Sequence, residues 1–94
     1  MLNVNAERML FALGDISLTV EAFERVGADG ISKMLSRHVS GDWGDVCTDD
    51  AQANTDAVRN GDSIHSFYKF GDDMVYVITE WDRSNTTVLM NYEY

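Results

Sequence analysis

Two short segments hold most of the side chains able to do chemistry. The first is His38-Val39-Ser40-Gly41-Asp42-Trp43-Gly44-Asp45, an imidazole followed by two carboxylates three positions apart. These groups are ligands for zinc or harder cations, but the spacing falls short of a defined pattern such as H-E-x-x-H, so no metal and no cofactor is expected. The competing reading is structural. Gly41 and Gly44 let the backbone turn, Asp42 and Asp45 bracket that turn, and Trp43 plugs the core beneath it. His38 is then a partly buried core histidine with one ring nitrogen satisfied.

The second segment is Ile78-Thr79-Glu80-Trp81-Asp82-Arg83-Ser84-Asn85-Thr86-Thr87. Metal-free RNA cleavage needs a proton acceptor, a proton donor and a cation for the developing charge; Glu80, Asp82 and Arg83 with His38 or His65 supply those types. The structural reading pairs Arg83 with Asp82 or Glu80 around a turn whose backbone donors are satisfied by Ser84 and Asn85. Cys47 is a poor nucleophile candidate, because Asp45, Asp49 and Asp50 beside it disfavour a thiolate. Ser63, Ser66 and Ser84 have no nucleophile-elbow context, and the glycines are too scattered for a phosphate loop. Among Phe67, Tyr68, Phe70, Tyr76 and Trp81 the one base is Lys69, too little for an oligonucleotide-stacking sheet. Tyr92 and Tyr94 are read as a frayed terminus with the option of anchoring a partner.

The elements that must position these residues follow from periodicity. Met9 to Leu13 reads as a helical turn or an edge strand, and Ile16 and Leu18 alternate like a short strand. Thr19 is a plausible N-cap for a short helix near residues 20–26, with Val20, Phe23 and Val26 on its apolar face. Gly27 and Gly30 frame a turn. Ile31, Met34, Leu35, His38 and Val39 recur at i, i+3, i+4, i+7 and i+8, the signature of an amphipathic helix ending at Gly41. A third helix is predicted from Thr48, as N-cap, to about Asn60, with Gly61 closing it. Its apolar face, Ala53, Ala57 and Val58, is thin, and Asp50, Asn54 and Asp56 are placed near or on its wet surface. The period then changes to two: Ile64 to Phe70, Met74 to Trp81, and Thr86 to Tyr92 read as three strands joined by turns at Gly71 to Asp73 and Asp82 to Asn85. The expectation is one α+β domain over residues 1–94, N-terminal helices packed on a three- to four-stranded antiparallel C-terminal meander.

Charge narrows the function classes. The 94 residues include 7 Lys and Arg against 16 Asp and Glu, a formal net charge of −9. Residues 1–40 hold five acids and four bases, whereas residues 41–94 hold eleven acids and three bases. Direct attraction to nucleic acid or to an anionic membrane is therefore disfavoured. With 45% hydrophobic residues the chain has material for a core without staples, and its single cysteine excludes an internal disulfide. Asn3, Asn5, Glu7 and Arg8 interrupt the N-terminal apolar residues, so neither a signal peptide nor a membrane span is expected and the cytoplasm is the default compartment.

From about Leu13 to Tyr94 the chain resembles a group of short bacterial, plasmid and phage proteins. The shared pattern is a helix ending RHxxGDWGD, an acidic segment with an asparagine, a strand with SxY, a strand and turn reading ITExDRSxTT, and a terminal EY. The matching residues are Arg37, His38, Ser40, Gly41, Asp42, Trp43, Gly44, Asp45, Asn54, Ser66, Tyr68, Ile78, Thr79, Glu80, Asp82, Arg83, Ser84, Thr86, Thr87, Glu93 and Tyr94. Prolines of the pattern are missing near Thr19-Val20 and Met90-Asn91. The resemblance implies a shared fold and a mobile-element association, and assigns no reaction. Joined to the charge, it gives as first expectation a small acidic binding protein that inhibits a host defence complex, a CRISPR effector or a restriction enzyme. Asp42, Asp45, Asp49, Asp50, Asp56, Asp62, Asp72 and Asp73 would occupy a basic groove that normally holds nucleic acid, with Trp43 or the tyrosines as anchors. The alternatives are a metal-independent ribonuclease or toxin and an adaptor of a host complex.

Overall fold

The computed structural model describes Val4 and residues 8–94. The part of the Met9 to Leu13 segment predicted as helix or strand forms neither; instead Leu10 donates its N–H to the Val39 carbonyl and Leu13 is buried. Strand β1 (Asp15–Leu18) leads into helix α1 (Val20–Val39), which Thr19 caps by accepting from the Ala22 N–H. The predicted turn between Gly27 and Gly30 shrinks to one residue. Gly27 alone leaves helical geometry, at φ 83° and ψ 162°, a region open essentially to glycine, and so breaks α1 into two helical runs.

The second run buries the face read from the sequence: Ile31, Leu35, His38 and Val39 are fully buried and Met34 nearly so. The first run does not. Val20 and Phe23 are exposed, and Ala22 with half-buried Val26 faces the core instead. Helix α2 (Thr48–Asn60) starts one residue differently from expectation, since its N-cap is Cys47, whose side chain makes no capping bond. Asp49 and Asp50 lie in the first turn, where they favourably meet the positive end of the helix dipole, and Gly61 closes the helix at φ 79°.

Strands β2 (Ile64–Phe70), β3 (Asp73–Thr79) and β4 (Asn85–Met90) form the predicted antiparallel meander, with Phe67 opposite Tyr76 and Val77 opposite Val88. Gly71 at φ 63° supplies the left-handed residue that the two-residue β2–β3 hairpin needs. The expectation of a purely antiparallel sheet is corrected by β1. It pairs parallel with β4, Asp15 opposite Asn85 through Leu18 opposite Val88, so the sheet is mixed with order β1-β4-β3-β2. A parallel pair cannot be joined by a hairpin, and here the intervening chain contains both helices and the other two strands. β3 also stops at Thr79, leaving Trp81 exposed in the loop to β4, and the predicted end of β4 is a 3₁₀ turn over Asn91–Glu93.

Alternation divides the sheet into two faces. Ile64, Ser66, Tyr68, Val75, Val77, Thr79, Thr86, Val88 and Met90 are buried, and Tyr68, Val75, Val77, Val88 and Met90 join α1 in the main core. Trp43, Ala57 and Ile64 form a smaller cluster beneath α2.

Candidate functional site

The segment around His38 is built as a turn sealed against β2. Gly41 and Gly44 adopt φ 93° and 79°, and between them Asp42 accepts the Gly44 N–H and a forked pair of bonds from Arg37 at 2.7 and 3.2 Å. Arg37 holds the Asp42 carboxyl below its ordinary range, with a smaller contribution from the Gly44 N–H. The chain then runs beside β2: Phe67 donates its N–H to the Trp43 carbonyl and Asp45 donates to the Phe67 carbonyl. A Cβ at Gly44 would stand 2.1 Å from the Phe67 oxygen, so the close approach requires glycine. Trp43, read from sequence either as a plug of the core or as a partner anchor, is the plug: it is buried beside Phe11, with its indole N–H directed to Thr55. Tyr68 donates its hydroxyl to the Asp42 carbonyl beneath the turn, under the Arg37 guanidinium.

His38 itself is fully buried, and both ring nitrogens are bonded rather than one. The proton positions follow from counting hydrogens. Thr86 must donate to the Leu13 carbonyl, which can only accept. Thr79, 2.7 Å away, therefore donates its one hydroxyl proton to Thr86 and must accept from His38 Nε2 at 2.8 Å. Nδ1 is left as an acceptor, and Ser66 donates to it at 2.6 Å. The ring is thus the neutral Nε2–H tautomer in a one-directional chain Ser66, His38, Thr79, Thr86, Leu13. Desolvation, with smaller effects of His65 and Arg83, pushes its pKa down to about 3, which agrees with this assignment. A general acid or base must reach the proton it transfers, and this imidazole has no exposed surface. His65, half-buried on the opposite sheet face, has its Nε2 beside the Ser63 hydroxyl.

Asn54 departs from expectation too. It is buried, and its amide bonds both the N–H and the carbonyl of His65, mimicking a neighbouring strand on the edge of β2. Arg83 forms no ion pair with Asp82 or Glu80. Its guanidinium donates to the carbonyls of Ala57 and Asp62 at 2.7 and 2.6 Å, beyond those of Glu80 and Trp81, and so ties the β3–β4 loop to the C-terminal end of α2. That end carries the negative pole of the helix, which suits a cation. Arg83 adopts φ 61°, and these bonds offset the cost of that left-handed backbone. Asp82 accepts from the Ser84 N–H and hydroxyl, which hold its carboxyl below the ordinary range. Thr87 lies half-buried on the outer sheet face, where its hydroxyl accepts from Asn85. The terminus predicted to fray is tied down, because Glu93 accepts from the Thr19 hydroxyl and the Met90 N–H.

The acidic residues divide differently. Asp42 and Asp73 are paired with Arg37 and Arg25. Asp45, Asp49, Asp50, Asp56, Asp62 and Asp72 are exposed and make no ion pair among the described residues. Five of these cluster in or beside α2. Asp49 and Asp56, seven residues apart, share its outer side about 10 Å apart along the axis. Among the described residues no group of three or more His, Cys, Asp or Glu side chains is placed to hold a metal ion, and no helix is long and apolar enough to cross a membrane. The chain matches no protein-family model, no curated protein and no solved structure in the three comparisons made.

Proposed function

We infer that this is a small acidic binding protein whose exposed carboxylates engage a basic protein surface, one that otherwise holds nucleic acid. The observation that carries this reading is the contrast between the motif residues and the acidic ones. His38, Asn54, Ser66, Tyr68, Thr79, Arg83 and Thr86 are bonded into the fold, while Asp45, Asp49, Asp50, Asp56 and Asp62 stand exposed around α2 with no ion pair among the described residues. Unpaired surface carboxylates at this density create a field that steers a basic partner and repels nucleic acid. The resemblance to mobile-element proteins supplies the partner class: a cytoplasmic host defence nuclease, either a CRISPR effector or a restriction enzyme, blocked by occupation of its nucleic-acid groove.

The test is competition. Purified effectors and restriction enzymes are loaded with labelled duplex DNA and titrated with the protein at low and high salt. Displacement that weakens with salt, and weakens further in the Asp49→Lys, Asp56→Lys double variant, is the expected outcome. Unchanged binding by that variant would refute the mimicry.

A further inference from the structure

The sheet has one face that no helix among the described residues covers. Alternation turns Phe67, Tyr76, Ile78 and Leu89 away from the core, and all are half-buried, with the Phe67 and Tyr76 rings tilted against each other at 4.4 Å and Tyr94 edge-on to Tyr76. Two clefts open on this side and share a wall. One, of about 300 Å³, lies between α2 and β2, with Val46, Ala53 and Phe67 as its apolar lining and Asp50 and Asp62 among its polar residues. The other, of about 370 Å³, runs over Ile78 and Leu89 to Glu80 and Tyr94. Ser63 and His65 line both, so the two clefts adjoin at these residues and form a two-part groove on this face.

The charge of that groove has one sign. Asp50 and Asp62 mark one end and Glu80 the other, and among the described residues no lysine or arginine lines either cleft. None of the three carboxylates is in an ion pair among the described residues. Arg83, which reaches this region, directs its N–H groups to carbonyls instead. An apolar floor between anionic ends selects an occupant of complementary pattern, an apolar side chain between cations. A stretch of uniform positive charge would gain nothing from Ile78 and Leu89, and an uncharged apolar segment would leave the carboxylates unmatched.

We propose that this groove docks a short extended segment of the basic partner, seating an aliphatic side chain over Ile78 and Leu89 and placing flanking lysine or arginine residues at Asp50 and Asp62 and at Glu80. This rests on the reading of the chain as a binder of basic protein surfaces and adds what that reading lacks, an apolar determinant of specificity. Outer carboxylates such as Asp49 and Asp56 accelerate the encounter, whereas the groove sets which segment stays bound.

The probes are three synthetic peptides: Lys-Arg-Leu-Arg-Lys, the same peptide with glycine for leucine, and Ser-Ser-Leu-Ser-Ser. Binding to the ¹⁵N-labelled protein is read by amide shifts at low salt. Lys-Arg-Leu-Arg-Lys is expected to shift Ser63, His65, Ile78, Glu80 and Leu89, and to bind about tenfold more tightly than either control. Glu80→Lys and Leu89→Ser should each weaken it about tenfold, while Asp49→Lys has a smaller effect that salt removes. If the leucine and glycine peptides bind equally, with shifts confined to Asp49 and Asp56, the groove is refuted and the acidic-binder reading survives. If no basic peptide binds at low salt, both fail. A free protein that sediments as a dimer with the same residues protected gives the face to a second copy and overturns the proposal.

Discussion

His38 makes the stability of this protein depend on pH in a window where few other groups act. Its folded-state pKa, about 3, lies below the unfolded value of 6.5, so the unfolded chain binds the proton more readily. The stabilisation from keeping the ring neutral is fully present above pH 6.5 and is lost as pH falls towards 3. Between pH 7 and 4.5 that loss comes to about 2–3 kcal/mol, a large share of the roughly 5–15 kcal/mol typical of a domain. Asp42 and Asp82, whose carboxyls are also depressed, add losses of the same sign only below about pH 4. Urea titrations at pH 7.0, 6.0, 5.0 and 4.5 measure the effect through the fluorescence of Trp43, buried in the fold, against Trp81, already exposed. The His38→Gln variant, which keeps an amide between Ser66 and Thr79, should be less stable at pH 7 and nearly flat down to 4.5. ¹⁵N shifts of the ring should report the Nε2–H tautomer in the folded protein down to pH 4.5. A flat wild-type profile, a His38→Gln variant with the wild-type slope, or a folded ring that protonates near 6 would refute the buried-neutral assignment.

Other perturbations follow from the same contacts. Thr79→Val removes the acceptor of the His38 N–H and the donor to Thr86 together, and should cost about 2–4 kcal/mol by urea denaturation, more than Ser66→Ala at about 1–3. Gly44→Ala should destabilise by more than about 2 kcal/mol, because the new Cβ meets the Phe67 carbonyl, while Gly71→Ala, at φ 63° with open space around it, should cost only about 1. Arg83→Lys loses the forked reach to Ala57 and Asp62 and should lower stability by about 1–2 kcal/mol, with hydrogen exchange faster in the last turn of α2. Asp49→Lys with Asp56→Lys removes a favourable charge from the first turn of α2 and the Gln52 bond to Asp56, and should lower the unfolding free energy in urea by only about 1–2 kcal/mol, leaving the protein folded, so a loss of partner binding is not a folding defect.

What sequence reading recovers here is what local pattern determines. The Ile31 to Val39 stripe, the Thr19 cap and the β2-β3-β4 meander each depend on residues a few positions apart, where 3.6 or 2 residue periodicity is decisive. The parallel pairing of β1 depends on matching four residues to a strand some seventy positions later, and no short-range signal encodes it. Val20 and Phe23 satisfied the helical period yet point outward, because Gly27 breaks α1 and lets its two runs face differently. Asn54 and Arg83 were misplaced for a related reason: their partners are backbone atoms of other elements, which leave no mark on composition.

That distribution of bonds bears on how function can be separated from folding. A buried polar chain in which Thr79 and Thr86 each donate and accept loses stability on any single deletion, so substitutions at His38, Ser66, Thr79 or Thr86 act first on the fold. Loss of activity at these positions therefore carries no weight for a catalytic role unless stability is measured alongside. Glu80, Asp49, Asp50, Asp56 and Asp62 are the informative positions, because among the described residues their carboxylates make no ion pair and all five are exposed, away from the core. A partner read through charge alone should respond to the sum of those reversals. A partner read through the groove should respond to Glu80 and Leu89 far more than to Asp49 and Asp56, and the ratio of the two effects at fixed salt decides between them.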